Sequence, residues 1–340
     1  VARAQRAPGE ASRLALALCL LLLAPPALAA DLGPNLLPDP SFESPDLKAW
    51  RGTANWVTLD DTTAATGQHS YCLKAAPEFP LTHLELVQPL ALQPWSWYEL
   101  SYAYRIEPPV RLDFYLVETD AQGNSYARSR SELGPRHPPP GQFQRVAFRF
   151  LTRPSVQTFR LYANAYCADK QFLPGRVWVD DLELRLVGPA PVVLEKPVLL
   201  YDPSFEDGHF DGYTYHEEYV TAPVPTAKDG AQVLRKAQPG DGKFIIPPLE
   251  KEEAPAGSLY RATIWARGEG RVFLSLATAE GTRYDWEPGD AARRYPLDKD
   301  EWRQVTMEVV FDRPGEVITG VNVWFWGQAE FDLASLTRVR

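Results

Sequence analysis

Cysteine and methionine are scarce in this 340-residue chain, which has three Cys and one Met. One of the three, Cys19, lies in a leading segment, so Cys72 and Cys167 are the thiols of the body. The five histidines (His69, His83, His137, His209 and His216) show no zinc spacing such as H-E-x-x-H. The chain also lacks a G-x-S-x-G elbow, a phosphate loop and a dinucleotide fingerprint. Basic charge is in deficit: 35 Lys and Arg stand against 44 Asp and Glu, a net of −9. Nucleic acid and anionic membrane surfaces both need a basic footprint, so neither is expected as a partner. Long apolar runs are missing too. The strongest, Leu14 to Leu23, is shorter than the roughly 20 residues a membrane span requires, so no span is expected.

What is present begins with a leader. Arg3, Arg6 and Arg13 precede that apolar run, and Ala27-Leu28-Ala29 follows with a small-x-small cleavage pattern. Residues 1–30 read as a secretory signal peptide, which places the mature protein outside the cell, in a periplasm or on a cell surface. Leu18 before Cys19 is too large for a lipoprotein site, so no lipid anchor is expected. In an oxidising compartment Cys72 and Cys167 either bridge or remain two separate buried thiols; both readings stand. Proline is abundant, at 32 residues, nearly double the usual share of about 5%. Proline removes a backbone donor and breaks helices, so long helices are excluded. Ten Trp and fifteen Tyr favour strands.

The body repeats itself. Asp39-Pro40-Ser41-Phe42-Glu43 recurs as Asp202-Pro203-Ser204-Phe205-Glu206. Further matches follow in the same order: Trp97-Tyr98-Glu99-Leu100 with Leu259-Tyr260-Arg261-Ala262, and Arg153-Pro154 with Arg313-Pro314. Asp181-Leu182 answers to Asp332-Leu333. An unbroken order with drifting offset is what duplication followed by loop changes produces. The division is a first module over 31–187, a linker over 188–197 and a second module over 198–340. Pro189, Pro191 and Pro197 stiffen the linker, which is expected to hold the modules apart.

Within each module the apolar period is two. Phe159, Leu161, Ala163 and Ala165 alternate with Arg160, Tyr162, Asn164 and Tyr166. Val110, Leu112, Phe114 and Leu116 alternate with Arg111, Asp113, Tyr115 and Val117. Short alternating runs between Gly, Pro, Asp and Asn loops predict an all-β chain of two tandem antiparallel β-sandwich, or jelly-roll, domains.

A family resemblance rests on the module ends. Asn35-Leu36-Leu37-Pro38-Asp39-Pro40-Ser41-Phe42-Glu43 followed by Trp50 resembles the opening of a carbohydrate-binding module. The group is the galactose-binding-like jelly-roll type appended to bacterial cellulases and xylanases. Val177-Trp178-Val179-Asp180-Asp181-Leu182-Glu183-Leu184 resembles its last strand, and the second module closes on Glu330-Phe331-Asp332-Leu333. The first module departs in lacking a Gly soon after Phe-Glu, and the second in having one Asp where the family often has two. The resemblance implies one structural calcium per module, held by Glu43 and Asp181 in the first and by Glu206 and Asp332 in the second. Backbone carbonyls would complete such a shell.

Ligand-binding candidates come from strand alternation. If Val321, Val323 and Phe325 face the core, then Asn322, Trp324 and Trp326 share the other face. Two indoles beside an amide suit a pyranose, whose C–H face packs on rings while its hydroxyls seek polar edges. Arg160, Tyr162, Asn164 and Tyr166 occupy that face in the first module. The competing reading makes these aromatics a second packing layer. Trp95 and Trp97 form a further candidate pair, and Trp302 is expected in the core. The combined reading is a secreted, non-catalytic protein that binds polysaccharide or surface glycan. Two alternatives stand beside it: a structural or adhesion protein of the cell envelope, and a β-sandwich enzyme such as a polysaccharide lyase. Two modules of ordinary domain size leave no segment for a separate catalytic domain.

Overall fold

The computed structural model describes residues 32–44, 48–107, 110–130, 141–167, 174–191, 194–207, 219–283 and 295–340. The expected leader over residues 1–30 lies outside them. The chain opens with β1 (Trp50–Gly52), β2 (Val57–Asp60), β3 (Ser70–Ala75), β4 (Leu81–Leu86) and β5 (Ser96–Glu107). Then come β6 (Val110–Asp120), β7 (Ser125–Arg130), β8 (Gln144–Leu151), β9 (Val156–Cys167) and β10 (Gly175–Pro189). The second half begins with β11 (Lys196–Val198), β12 (Tyr219–Pro223), β13 (Gln232–Lys236), β14 (Gly242–Ile246) and β15 (Glu252–Ala254). It ends with β16 (Ser258–Thr278), β17 (Gly281–Arg283), β18 (Tyr295–Pro296), β19 (Arg303–Phe311) and β20 (Glu316–Arg338). No helix among the described residues is long and apolar enough to cross a membrane.

In the first module two antiparallel sheets, ordered β1-β4-β9-β6-β7 and β2-β3-β10-β5-β8, pack face to face. Alternation explains the packing: Leu112, Phe114, Leu116, Phe159, Leu161 and Ala163 all turn inward and meet Leu100, Tyr102 and Leu184 of the other sheet. Among the described residues the central strands of the second module follow the same order. The first part of β20 lies between β14 and the last part of β16, while its remainder lies between β13 and the first part of β16. Two long strands therefore cross from one sheet to the other, where the first module uses β5 with β6 and β9 with β10. The crossing needs glycine. Gly268, Gly270 and Gly327 have φ of 141°, 133° and 98°, and a Cβ on Gly270 would sit 1.8 Å from the Trp326 carbonyl oxygen. A separate core fills this sandwich, with Phe205, Ile264, Leu274, Val323 and Phe331.

The expectation that the prolines hold the modules apart is not met. Trp95, Leu151, Ala190, Leu259 and Val310 form one buried cluster across the two halves. The linker is tied at both ends, since β10 continues to Pro189 opposite Ser96 and β11 pairs with the end of β20. Burial of the apolar cluster outweighs the extended preference of the prolines. Cys72 is a free, buried thiol, so the bridge reading falls. The side chain of Cys167 lies outside the described residues.

Candidate functional site

The outward face of the first module is a grid set by strand register. β9 lies between β4 and β6, which places Glu85, Tyr162 and Tyr115 in one row. His83, Asn164 and Asp113 form the next, and Leu81, Tyr166 and Arg111 the third. Arg160 stands one row further along, opposite Val117. The four residues expected from the sequence, Arg160, Tyr162, Asn164 and Tyr166, are thus brought onto one face, each half-buried. Their neighbours Glu85, His83, Asp113, Arg111 and Tyr115 were not singled out. Alternation marks which side of a strand is polar, but only pairing says which polar sides meet.

Polar contacts hold this face in place. The Arg51 guanidinium pairs with Glu85, and Thr53 Oγ1 lies 3.2 Å from His83 Nδ1. The His83 and Tyr162 rings meet edge-on, 6.3 Å between centroids. Burial, and then the Asp113 charge, raise the pKa of the Tyr166 hydroxyl. Asn164 Oδ1 is buried without a hydrogen-bond partner.

In the second module the corresponding face runs along the first part of β20. Lys243, Trp324 and Phe273 share one row; Ile245, Asn322 and Ser275 share the next. Trp326 lies opposite Arg271. Val321, Val323 and Phe325 do enter the core, so the expected face is formed. Trp324 and Trp326 are half-buried, and Lys243 Nζ sits 4.3 Å from the Trp324 ring centre. Burial lowers the pKa of that ammonium. Asn322 is only 1% exposed and Ser275 0%. Neither Nδ2 nor Oδ1 of Asn322, nor Oγ of Ser275, has a hydrogen-bond partner.

Three other tryptophans are not where the sequence put them. Trp95 is buried and Trp97 partly buried in the cluster between the modules, so they are packing residues. Trp302 is half-buried on the outer side of the other sheet, outside the core. Its Nε1 donates to the Thr226 carbonyl at 2.7 Å, and the Arg267 guanidinium stacks 4.7 Å from its ring. Its neighbour Arg303 is exposed, so alternation did not resolve the side of Trp302.

The carboxylates expected to hold calcium pair differently from the sequence match. Glu43 Oε1 accepts the Gln68 and His69 amides, both at 2.9 Å. Asp180 Oδ2 accepts those of Ala65 and Thr66. In the second module Glu206 Oε1 accepts the Ala231 and Gln232 amides, and Asp332 Oδ2 those of Lys228 and Asp229. Asp180, not Asp181, is therefore the counterpart of Asp332. Asp181 answers to Leu333, the two sharing a left-handed backbone with φ of 50° and 40°. Asp181 itself accepts the Thr66 hydroxyl at 2.6 Å and faces Arg145 at 3.6 Å. Each Glu/Asp pair thus clamps one loop. Burial pushes the Asp180 carboxyl up to about 6 and raises Asp332 as well. The amide donors offset part of that burial cost by favouring the charged carboxylate. No group of three His, Cys, Asp or Glu suited to a metal occurs among the described residues.

Comparison with known proteins adds likenesses of fold. No protein-family model matches the sequence, and no curated protein matches it. Among solved structures, the chain is similar to the tandem CBM22-1–CBM22-2 domain of Paenibacillus barcinonensis Xyn10C. That likeness covers 90% of this chain and 98% of the other, at 15% identity and a TM-score of 0.34. TmCBM61, solved with β-1,4-galactotriose, matches 44% of this chain and 97% of its own, at 16% identity and a TM-score of 0.32. The Stig cyclase Fisc from Fischerella sp. TAU matches 46% and 99%, at 13% identity and a TM-score of 0.35. Binding modules and an enzyme stand side by side in this set. Identities and scores this low leave the ligand to be judged on this chain's own residues.

Proposed function

We propose that this chain is an exported, non-catalytic glycan-binding protein that engages polysaccharide through the outward faces of β9 and β20. The observation that supports it most is the buried, unpartnered polar atoms on both faces: Asn164 Oδ1 in one module, Asn322 and Ser275 in the other. Each lies in or beside a row of aromatic rings, Tyr162 and Tyr166 or Trp324 and Trp326. Native proteins leave few such groups without a reason. A polyhydroxylated ligand brings donors and acceptors together, and its C–H faces suit the rings. The repeated motifs support a duplicated module, and residues 1–30 support export.

A structural calcium in each module accompanies this reading. Glu43 with Asp180, and Glu206 with Asp332, would hold it and fix the loops they clamp. A second reading, polysaccharide cleavage in the first module, rests on His83 beside Tyr162, with Asp113 in the same row as His83, since such a pair can move a proton. Affinity electrophoresis across a panel of soluble polysaccharides tests binding, with retardation of the mature chain expected. Release of reducing or unsaturated ends in the same samples would favour cleavage. Retardation by none would favour the adhesion alternative.

A further inference from the structure

We infer that the two modules act as one rigid body that presents both faces to a polymeric glycan at a fixed spacing; the identity of that partner rests on the function proposed above. The joint combines apolar, ionic and backbone contacts. Trp95, Leu151 and Ala190 meet Leu259 and Val310, with Trp97 and Val339 packed against them. Through this cluster runs a charged network. Arg128 pairs with Glu118 of its own module and reaches Asp312 of the other at 3.3 Å. Arg153 donates to both the backbone oxygen and the carboxylate of Glu308 at 3.3 Å, and Arg261 holds that carboxylate from the far side at 2.8 Å. The backbone closes the joint: the Ala190 amide donates to the Trp95 carbonyl at 2.9 Å, and residues 196–198 join the edge of β20.

These contacts divide the work. A buried ion pair adds little net stability, yet breaking one strands a charge, so such pairs fix register more than they attract. The apolar cluster supplies the attraction. Arg128 ties the two cores together, since its guanidinium lies 6.0 Å from the Phe150 ring of the first and contacts Asp312 of the second. Opening the joint would leave Arg128 and Asp312, both buried, without one another. Modules joined by a tether alone move freely; these are pinned. None of Tyr162, Asn164, Tyr166, Asn322, Trp324 or Trp326 belongs to the joint. Both faces therefore stay available while their spacing is set. A polymer that meets both gains effective concentration and avoids the cost of ordering a loose linker.

The test compares the mature chain with Leu259→Glu/Val310→Glu, which puts two charges into the apolar cluster while sparing the core of the second module. X-ray scattering and calorimetry should show the unaltered chain as one compact particle with a single transition. The variant should be longer and melt in two transitions. Arg128→Ala should lengthen the particle in the same way, and it serves if the double variant fails to fold. The unaltered chain should bind a soluble polysaccharide more than tenfold more tightly than an oligosaccharide too short to touch both faces. That preference should shrink at least threefold in the variant, with oligosaccharide affinity unchanged within twofold. Separated lobes or two transitions in the unaltered chain would overturn the joint. An equal polymer preference in both proteins would overturn the fixed presentation. Binding of no glycan would refute the functional reading and the partner, while scattering would still judge the joint.

Discussion

Asn322→Val combined with Ser275→Ala should make this protein more stable and a poorer binder at once. The two side chains are neighbours across β20 and β16, and three of their polar atoms are buried without partners. An unsatisfied buried group costs about 1–3 kcal/mol, so two side chains hold about 2–6 kcal/mol of penalty. Imperfect shape takes back about 1 kcal/mol, and Val suits a strand. A net gain of about 1–5 kcal/mol at about 2 °C per kcal/mol moves the melting midpoint up by about 2–10 °C. The same change removes the groups that would pair with sugar hydroxyls, at about 0.5–1.5 kcal/mol each. Affinity should fall about tenfold, which is about 1.4 kcal/mol. Scanning calorimetry and titration calorimetry on one preparation read both effects. A lower midpoint would mean the atoms are already satisfied, by water for instance. An unchanged affinity would mean they do not serve the ligand. Either result refutes the reasoning.

Trp302→Ala should cost only about 1–2 kcal/mol in urea unfolding, below the 3–5 kcal/mol of a buried ring, because the indole is half-buried and tied by one bond to Thr226; a larger loss would place it in the core after all. Chelator should lower the melting midpoint if calcium sits at the Glu/Asp clamps, by the equivalent of about 2.7 kcal/mol where free calcium was near 100 times its dissociation constant. An unchanged midpoint with no calcium by elemental analysis would leave those residues as loop clamps alone. Burial pushes the Cys72 thiol from 9.0 up to about 11, so the native protein should resist thiol reagents at pH 8. The sign for stability follows: the thiol's contribution is whole below pH 9 and is lost as pH rises towards 11. Cys72→Ala should flatten that alkaline decline, and an identical pH profile in the variant would contradict it.

Much of the fold was legible because a strand with one buried face writes its period into the sequence. Phe159, Leu161, Ala163 and Ala165 face inward as alternation required, and so do Val321, Val323 and Phe325. The repeated Asp-Pro-Ser-Phe-Glu segments adopt the same turn, with Phe42 and Phe205 both buried at φ near 60°. What escaped was whatever depends on partners far along the chain. His83 and Asp113 join Asn164 only through pairing of β4, β9 and β6. Matching letters aligned Asp181 with Asp332, but the bulge that turns Asp181 and Leu333 into left-handed conformations shifts the true counterpart to Asp180. Linker composition suggested separation because prolines report local stiffness, whereas docking is decided by Leu259 and Val310 on an outer surface. Their burial is invisible to a reading in which every outward residue meets solvent.

The most direct measurement of the central claim is a glycan array probed with the mature chain beside a variant carrying Tyr162→Ala, Tyr166→Ala, Trp324→Ala and Trp326→Ala. Stacking that hides roughly 100 Å² of ring surface is worth about 2–3 kcal/mol per sugar at about 25 cal/mol per Å², less the cost of ordering the glycan. The unaltered chain should therefore light a defined set of polysaccharides with dissociation constants in the micromolar to millimolar range. The folded variant should light none. Binding of the same glycans by both proteins, or of none by the unaltered chain, would contradict the account.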